Sequence, residues 1–209
     1  MRRNSRHHDS GAALVEMALV APVLLALVFG IIEMGYMLRD YQVASDSVSD
    51  GSRVAAVMGP DMAADGSSPD FHIIRSLREA TGSMGADWIQ RIVIFKADRP
   101  TGGVTAEEQV PDDCKAGSPI AGRCNVYNDV SEAFDAVERG DITYFACPDS
   151  DVACSWPASE RRNGPTVDAV DHLGVWMRVE RPQITGLFGS SVTLEHASVV
   201  RVEIGALTG

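Results

Sequence analysis

One long apolar stretch near the N-terminus constrains the fold of this chain more than any other feature. Residues 12–38 contain only two charged side chains, Glu16 and Glu33, and residues 17–32 contain none. At about 1.5 Å per residue a helix of this length reaches about 40 Å, more than the ~30 Å hydrocarbon core of a bilayer. The stretch therefore predicts a transmembrane helix over about residues 12–38.

A cleavable secretory signal peptide is the alternative interpretation of this stretch. The apolar region of such a peptide usually has about 7–15 residues and ends in a small-x-small cleavage site. Here 16 uncharged residues run directly into Glu33-Met34-Gly35-Tyr36, which is no such site. The pattern favours an anchor that is not removed.

The charges on the two sides of the stretch indicate its orientation. Arg2, Arg3 and Arg6 make the leader, residues 1–11, basic, whereas the chain from Arg39 onward carries 26 acidic and 15 basic residues. The positive-inside rule places the leader in the cytoplasm and the acidic part outside the cytoplasmic membrane. An acidic domain without a basic patch repels phosphates, so we expect no nucleic-acid binding.

The helix is expected to continue beyond the membrane, to about residue 58. Apolar or small residues recur at steps of three and four, while Asp40, Asp46, Asp50 and Arg53 supply the polar side. Gly59-Pro60 is a typical helix stop. The members of the recurring stripe are Leu38, Tyr41, Ala44, Val48, Ser52 and Ala55.

After a polar linker over residues 59–70, the remaining chain predicts one α+β domain, residues 71–209. Helical spacing favours helices over 71–81 and 127–138, and loop-forming residues fill 99–123. Residues 142–145 fit a short strand or turn. Strand patterns over 89–95, 172–180, 192–196 and 198–204 favour an antiparallel sheet, with Leu173, Val175, Met177 and Val179 on one face.

Four cysteines, Cys114, Cys124, Cys147 and Cys154, lie in the part expected outside the cytoplasm. An even number in an oxidising compartment favours two disulfides, and the sequence leaves all three pairings open. A zinc site is the alternative, but there is no CxxC pair and no histidine at ligand spacing.

The start of the apolar stretch resembles the processing site of TadE-like pseudopilins of the tight adherence (Flp/Tad) pilus system. The resemblance is carried by the basic leader, by Gly11-Ala12-Ala13-Leu14-Val15-Glu16-Met17, and by the long helix to residue 57. A weaker resemblance covers residues 172–204. Met17 departs from the pattern, because the family prefers an aromatic residue there.

This resemblance implies cleavage between Gly11 and Ala12 by a membrane prepilin peptidase. It also implies partners, namely other pilins or pseudopilins and the Tad inner-membrane platform, and a pilin-like role in adhesion and pilus assembly. No cofactor, metal or catalytic residue is implied.

The chemistry of Glu16 supports a role in assembly independently. A carboxylate in the apolar layer is costly unless it is paired, and cleavage creates a cationic amine on Ala12 one helical turn away. Glu16 of one subunit could then neutralise the amine of another. We expect Glu33, by contrast, to be an interfacial charge where the helix leaves the membrane.

Three functions are compatible with these patterns. The first is a minor pilin or pseudopilin that takes part in pilus assembly. The second is a membrane-anchored extracytoplasmic binding or adhesion domain without an assembly role. The third is a secreted enzyme, which nothing in the sequence favours, since no nucleophile motif, phosphate-binding loop or metal-ligand spacing is present.

Overall fold

The computed structural model describes residues 9–99, 103–146, 154–164, 169–186 and 189–202. The fold is α+β, as predicted: a long N-terminal helix is followed by a small domain with a four-stranded antiparallel sheet. The helices are α1 (Asp9–Met58), α2 (Pro69–Ala80), α3 (Asp112–Ala116) and α4 (Val130–Arg139). The strands are β1 (Ile89–Ala97), β2 (Cys124–Tyr127), β3 (His172–Pro182) and β4 (Ser191–Arg201).

Helix α1 has 50 residues, and its C-terminal half packs on the domain. Gly51 permits close approach of α2, because a Cβ at this position would lie 2.9 Å from a methyl carbon of Leu77. The helix ends where Gly59 adopts a φ of +55°, a conformation that glycine reaches without steric cost.

The shorter helices α2 and α4 begin at side-chain caps. The Ser68 hydroxyl accepts the Phe71 N–H before α2, and the Asp129 carboxylate accepts the Glu132 N–H before α4. The apolar residues of both helices face the sheet, which fits their helical spacing in the sequence.

The sheet has the strand order β2–β1–β3–β4 and is covered on both faces. One face packs against α1, α2 and α4, and it carries the four β3 residues that share a face in the sequence pattern, together with Ile92 and Ile94. The other face carries Val93, Phe95 and Trp176 and is covered by Val110, Cys114 and Ile120. Residues 103–123, part of the segment predicted as a loop, thus form a second layer of the domain.

Cys114 and Cys124 form a disulfide that joins α3 to β2. Cys154 is also disulfide-bonded, and Cys147 lies outside the described residues. The bond between Cys114 and Cys124 ties the covering segment to the edge of the sheet, directly beside the face that carries Val93 and Phe95.

Two local predictions were wrong. The two strands expected over 192–196 and 198–204 form the single strand β4, which pairs with β3 from end to end; residues 203–209 lie outside the described residues. Tyr127 belongs to β2 and not to a helix, because β2 pairs with β1 before α4 begins. Residues 142–145, for which the sequence left a short strand or a turn open, form a 3-10 turn capped by Asp141.

Candidate functional site

Helix α1 changes character at Glu33. Residues 11–32 are almost all exposed, and large apolar side chains such as Leu14 and Ile31 are each 72% accessible. From Glu33 onward one side of the helix is buried against the domain. The exposed segment has 22 residues and spans about 33 Å. The helix is long and apolar enough to cross a membrane, and it fits a single-pass membrane anchor.

The sequence-predicted site residues lie at the N-terminal end of this exposed segment. Gly11 and Ala12 are in the first turns of α1, and no atom lies within 4 Å of the position that a Cβ on Gly11 would take. Glu16 is exposed one turn later and has no polar partner in the described part of the chain. Arg2, Arg3 and Arg6 of the leader lie outside the described residues.

Glu33, which the sequence suggested as an interfacial charge at the helix exit, is bonded to the domain. Its side chain is buried, and its carboxylate accepts the backbone N–H of Ile184 at 2.7 Å and that of Thr185 at 2.9 Å. The Thr185 hydroxyl donates a third hydrogen bond to the same carboxylate. The guanidinium of Arg181, at the end of β3, lies 3.9 Å from it. Glu33 therefore fastens α1 to the loop between β3 and β4.

Asp40, which the helical spacing placed on the polar side of α1, is also buried. It accepts a hydrogen bond from the guanidinium of Arg181, and both side chains are no more than 5% exposed. The same guanidinium lies 5.9 Å from the ring centres of Tyr36 and Trp88. Two carboxylates of α1 thus converge on one buried arginine at the end of β3.

Further along, α1 packs on β4 through polar and aromatic contacts. The rings of Tyr41 and His196 meet edge to face at 4.4 Å, and the hydroxyls of Ser52 and Ser198 are hydrogen-bonded at 2.8 Å. Burial lowers the pKa of His196 below its usual value near 6.5. These contacts fix α1 along the full length of the sheet.

A second buried polar network lies away from α1. The carboxylate of Asp70 accepts hydrogen bonds from Asn125 at 2.7 Å, from the Tyr127 hydroxyl at 2.9 Å, and from Arg161. Burial, followed by the nearby charge of Asp70, raises the pKa of Tyr127. The network ties the start of α2 to β2, which is a structural task. Among the described residues no cluster of three or more His, Cys, Asp or Glu side chains could hold a metal ion.

Gly11, Ala12 and Glu16 stay predictions from their local sequence pattern, and the cluster of Glu33, Asp40 and Arg181 was not predicted from the sequence. The only sequence signal for this cluster was that Glu33 and Asp40, seven residues apart, lie on a side of the helix that is otherwise apolar. Nothing local indicated that Arg181 is their partner.

Comparison with known proteins bears on this same helix. No curated protein and no solved structure matches the chain. A family model described as TadE-like protein matches residues 11–53, which comprise the exposed segment, Glu33, Asp40 and most of the part that packs on the domain. Over this helix the resemblance found in the sequence is confirmed: residues 11–53 match the TadE-like family.

Proposed function

We propose that this protein is a minor pilin, or pseudopilin, that takes part in assembly of a tight adherence (Flp-type) pilus. The TadE-like match supports a pilus-associated role. The observation that carries the proposal is the exposed apolar segment of bilayer length, with a carboxylate, Glu16, near its N-terminal end. In this role the protein is a single-pass protein of the cytoplasmic membrane with its domain outside the cytoplasm.

The spacing along α1 supports a pairing role for Glu16. With Glu33 at the outer boundary of the hydrocarbon core, Glu16 lies 17 residues or about 25 Å deeper, near the inner boundary of a ~30 Å core. Ala12 lies about 6 Å further, at the boundary itself. Cleavage after Gly11 would therefore place a new amine where the Glu16 of a neighbouring subunit can meet it.

The size of the domain favours an accessory role over that of the main filament subunit. The resemblance implies very small major pilins, whereas here a domain of well over 100 residues packs on α1. Such a domain can cap a filament or dock another minor subunit. The partners of the proposal are the prepilin peptidase, other pilins or pseudopilins, and the Tad inner-membrane platform.

The mass of the protein extracted from membranes tests the processing step. We expect Ala12 to be the first residue in cells that make pili of this type. Gly11→Val should block cleavage without disturbing the fold, because the Cβ at residue 11 meets open space. Gly30→Val is the matched control, since the Cβ at residue 30 also meets open space; it should be cleaved normally. An intact leader in the unmodified protein would contradict processing.

Piliation of Glu16 variants tests the assembly step. We expect Glu16→Ala and the isosteric Glu16→Gln to insert and to be cleaved at Gly11, but to reduce pilus assembly, because neither can neutralise an amine. Normal piliation by both variants would contradict the pairing role. If cleavage also proves absent, a membrane-anchored binding or adhesion domain becomes the better interpretation.

A further inference from the structure

We propose that the described start of the loop between β3 and β4, residues 183–186, is a membrane-surface contact, with the side chain of Ile184 seated in the interfacial layer of the bilayer. This proposal rests on the membrane anchoring of α1 in the proposed function. It adds a second contact between the protein and lipid, made by the domain and not by the helix.

The position of the loop is fixed by its bonds to α1. The Ile184 and Thr185 N–H groups both donate to Glu33, the first buried residue after the exposed segment. The base of the loop is closed by a hydrogen bond from the Gln183 N–H to the Ser190 C=O. The loop therefore lies at the level where the helix leaves the domain.

The length of the exposed segment leaves no spacer between the domain and the membrane. Residues 11–32 span about 33 Å, close to the ~30 Å hydrocarbon core, and Glu33 follows directly. Each headgroup layer adds roughly 5–7 Å to the core. Ile184 and Thr185, which are bonded to Glu33, must consequently fall within the outer headgroup layer.

The chemistry of the loop suits this layer. Ile184 is 65% exposed at the start of the loop, although an apolar side chain of this size gains nothing from water. The backbone N–H groups of Ile184 and Thr185 are already bonded to Glu33, so lowering them into the interface removes no hydrogen bond to water. Tyr36 and Trp88, residue types that favour the membrane interface, flank Arg181 at the same level.

The charges around the loop indicate a contact with neutral lipid. Arg181 is buried against Asp40, Glu180 accepts a hydrogen bond from the Ser191 hydroxyl, and Arg39 donates to the Ser83 C=O. These groups include no exposed cluster of basic side chains, which an anionic headgroup would require. The surface that this loop contacts is thus the interfacial layer of a zwitterionic bilayer.

Site-specific fluorescence on the full chain in phosphatidylcholine vesicles tests the proposal. Ile184→Cys is labelled with a bimane dye, and the unsubstituted chain treated in the same way measures labelling of the native cysteines. Val104→Cys is the matched control, because Val104 is also apolar and is 48% exposed. It lines the same surface pocket as Asp98, which follows the C-terminal end of β1, whereas Ile184 follows the end of β3 that pairs with the N-terminal end of β1. Quenching is measured with aqueous iodide and with lipids brominated near the headgroup.

We expect the label at residue 184 to be quenched several-fold less by iodide than the label at residue 104, and to be quenched by the brominated lipid. Equal iodide quenching at both positions would overturn the proposal. Protection that appears only when phosphatidylglycerol is added would also overturn it, because the contact would then be electrostatic. A chain that does not float with the vesicles would refute the anchoring itself, a result distinguishable from loss of the loop contact alone.

Discussion

Arg181 shows that the packing of α1 on the domain depends on contacts between residues far apart in the sequence. It neutralises Asp40, lies beside Glu33, and stands between two aromatic rings, while all of these partners are at least 90 residues away in the sequence. A buried carboxylate without its partner is costly, because it keeps its charge without water or a counterion. The attachment of α1 to the domain therefore depends strongly on this arginine.

Arg181→Met should lower the free energy of unfolding by about 3 kcal/mol, because Asp40 would remain buried and unpaired. Asp40→Leu combined with Arg181→Met should restore most of the loss, since an apolar pair of similar volume avoids the unpaired charge. Urea unfolding of the full chain in detergent, followed by tryptophan fluorescence, measures both.

The matched control for this prediction is Arg178→Met. Arg178 is on the same strand and pairs with Glu195 at 3.1 Å, but both side chains are more than a third exposed. Its loss should cost less than about 1 kcal/mol. A loss for Arg181→Met no larger than that for Arg178→Met would show that the buried pair does not stabilise the fold.

His196 gives the interface between α1 and β4 a pH dependence. Burial lowers its pKa in the folded protein, and its Nε2 has no hydrogen-bond partner among the described residues. Between the folded pKa and the unfolded value near 6.5, the unfolded chain binds more protons, so stability must fall as the pH is lowered through this range. His196→Gln should remove this part of the loss.

Denaturant midpoints of both proteins, taken at steps from pH 7.5 to pH 5, give the measurement. The midpoint of the wild type should fall relative to that of His196→Gln as the pH is lowered below about 6.5, because only the wild type carries a histidine that the unfolded chain protonates first. Parallel curves would mean that His196 keeps its usual pKa in the folded state.

At the scale of elements, the sequence predicted those helices and strands whose burial produces a regular spacing of apolar residues. The 3.6-residue spacing of α1 and α2 and the alternation of β3 correspond to observed elements, because a helix or strand that buries one face must show that period. The four-residue strand β2 was missed because it is too short to show alternation, and all of its residues are buried. The expected gap within β4 fell on Ala197, which pairs with Trp176 in an uninterrupted ladder.

The layer formed by α3 and its neighbouring loops has few regular hydrogen bonds of its own, so its disulfide should matter for stability. Replacing Cys114 and Cys124 together by alanine should lower the free energy of unfolding by about 2–3 kcal/mol, the loop-closure value for a sequence separation of 10 residues. Unfolding of the natural chain with and without reductant measures the combined contribution of this bond and of the disulfide of Cys154. Identical unfolding curves would show that packing alone holds this layer on Val93, Phe95 and Trp176.

At the scale of the whole molecule, the half of α1 from Glu33 onward and the domain pack as one unit. Glu33, Asp40, Tyr41 and Ser52 contact the sheet at successive levels, so the direction in which the exposed segment leaves the domain is determined by packing. The sequence predicted the segment and its carboxylate but not this direction, because the direction depends on partners that are brought together only by the folded sheet.

Inserting one polar helical turn, Gln-Glu-Gln-Lys, between Ile32 and Glu33 tests whether this geometry matters for function. Every contact between α1 and the domain follows the insertion, so the unfolding free energy in detergent and the processing at Gly11 should be unchanged. The domain would stand about 6 Å higher and rotate by roughly 40°, because four residues exceed one turn of 3.6.

We expect this insertion to abolish the lipid protection of Ile184 and to reduce piliation, since the polar turn cannot sink into the hydrocarbon core. A conservative exchange on the exposed segment, Leu19→Ile, is the control that should leave both unchanged. If the inserted chain assembles pili normally, the domain needs no fixed height or direction above the membrane, and the helix alone supports assembly.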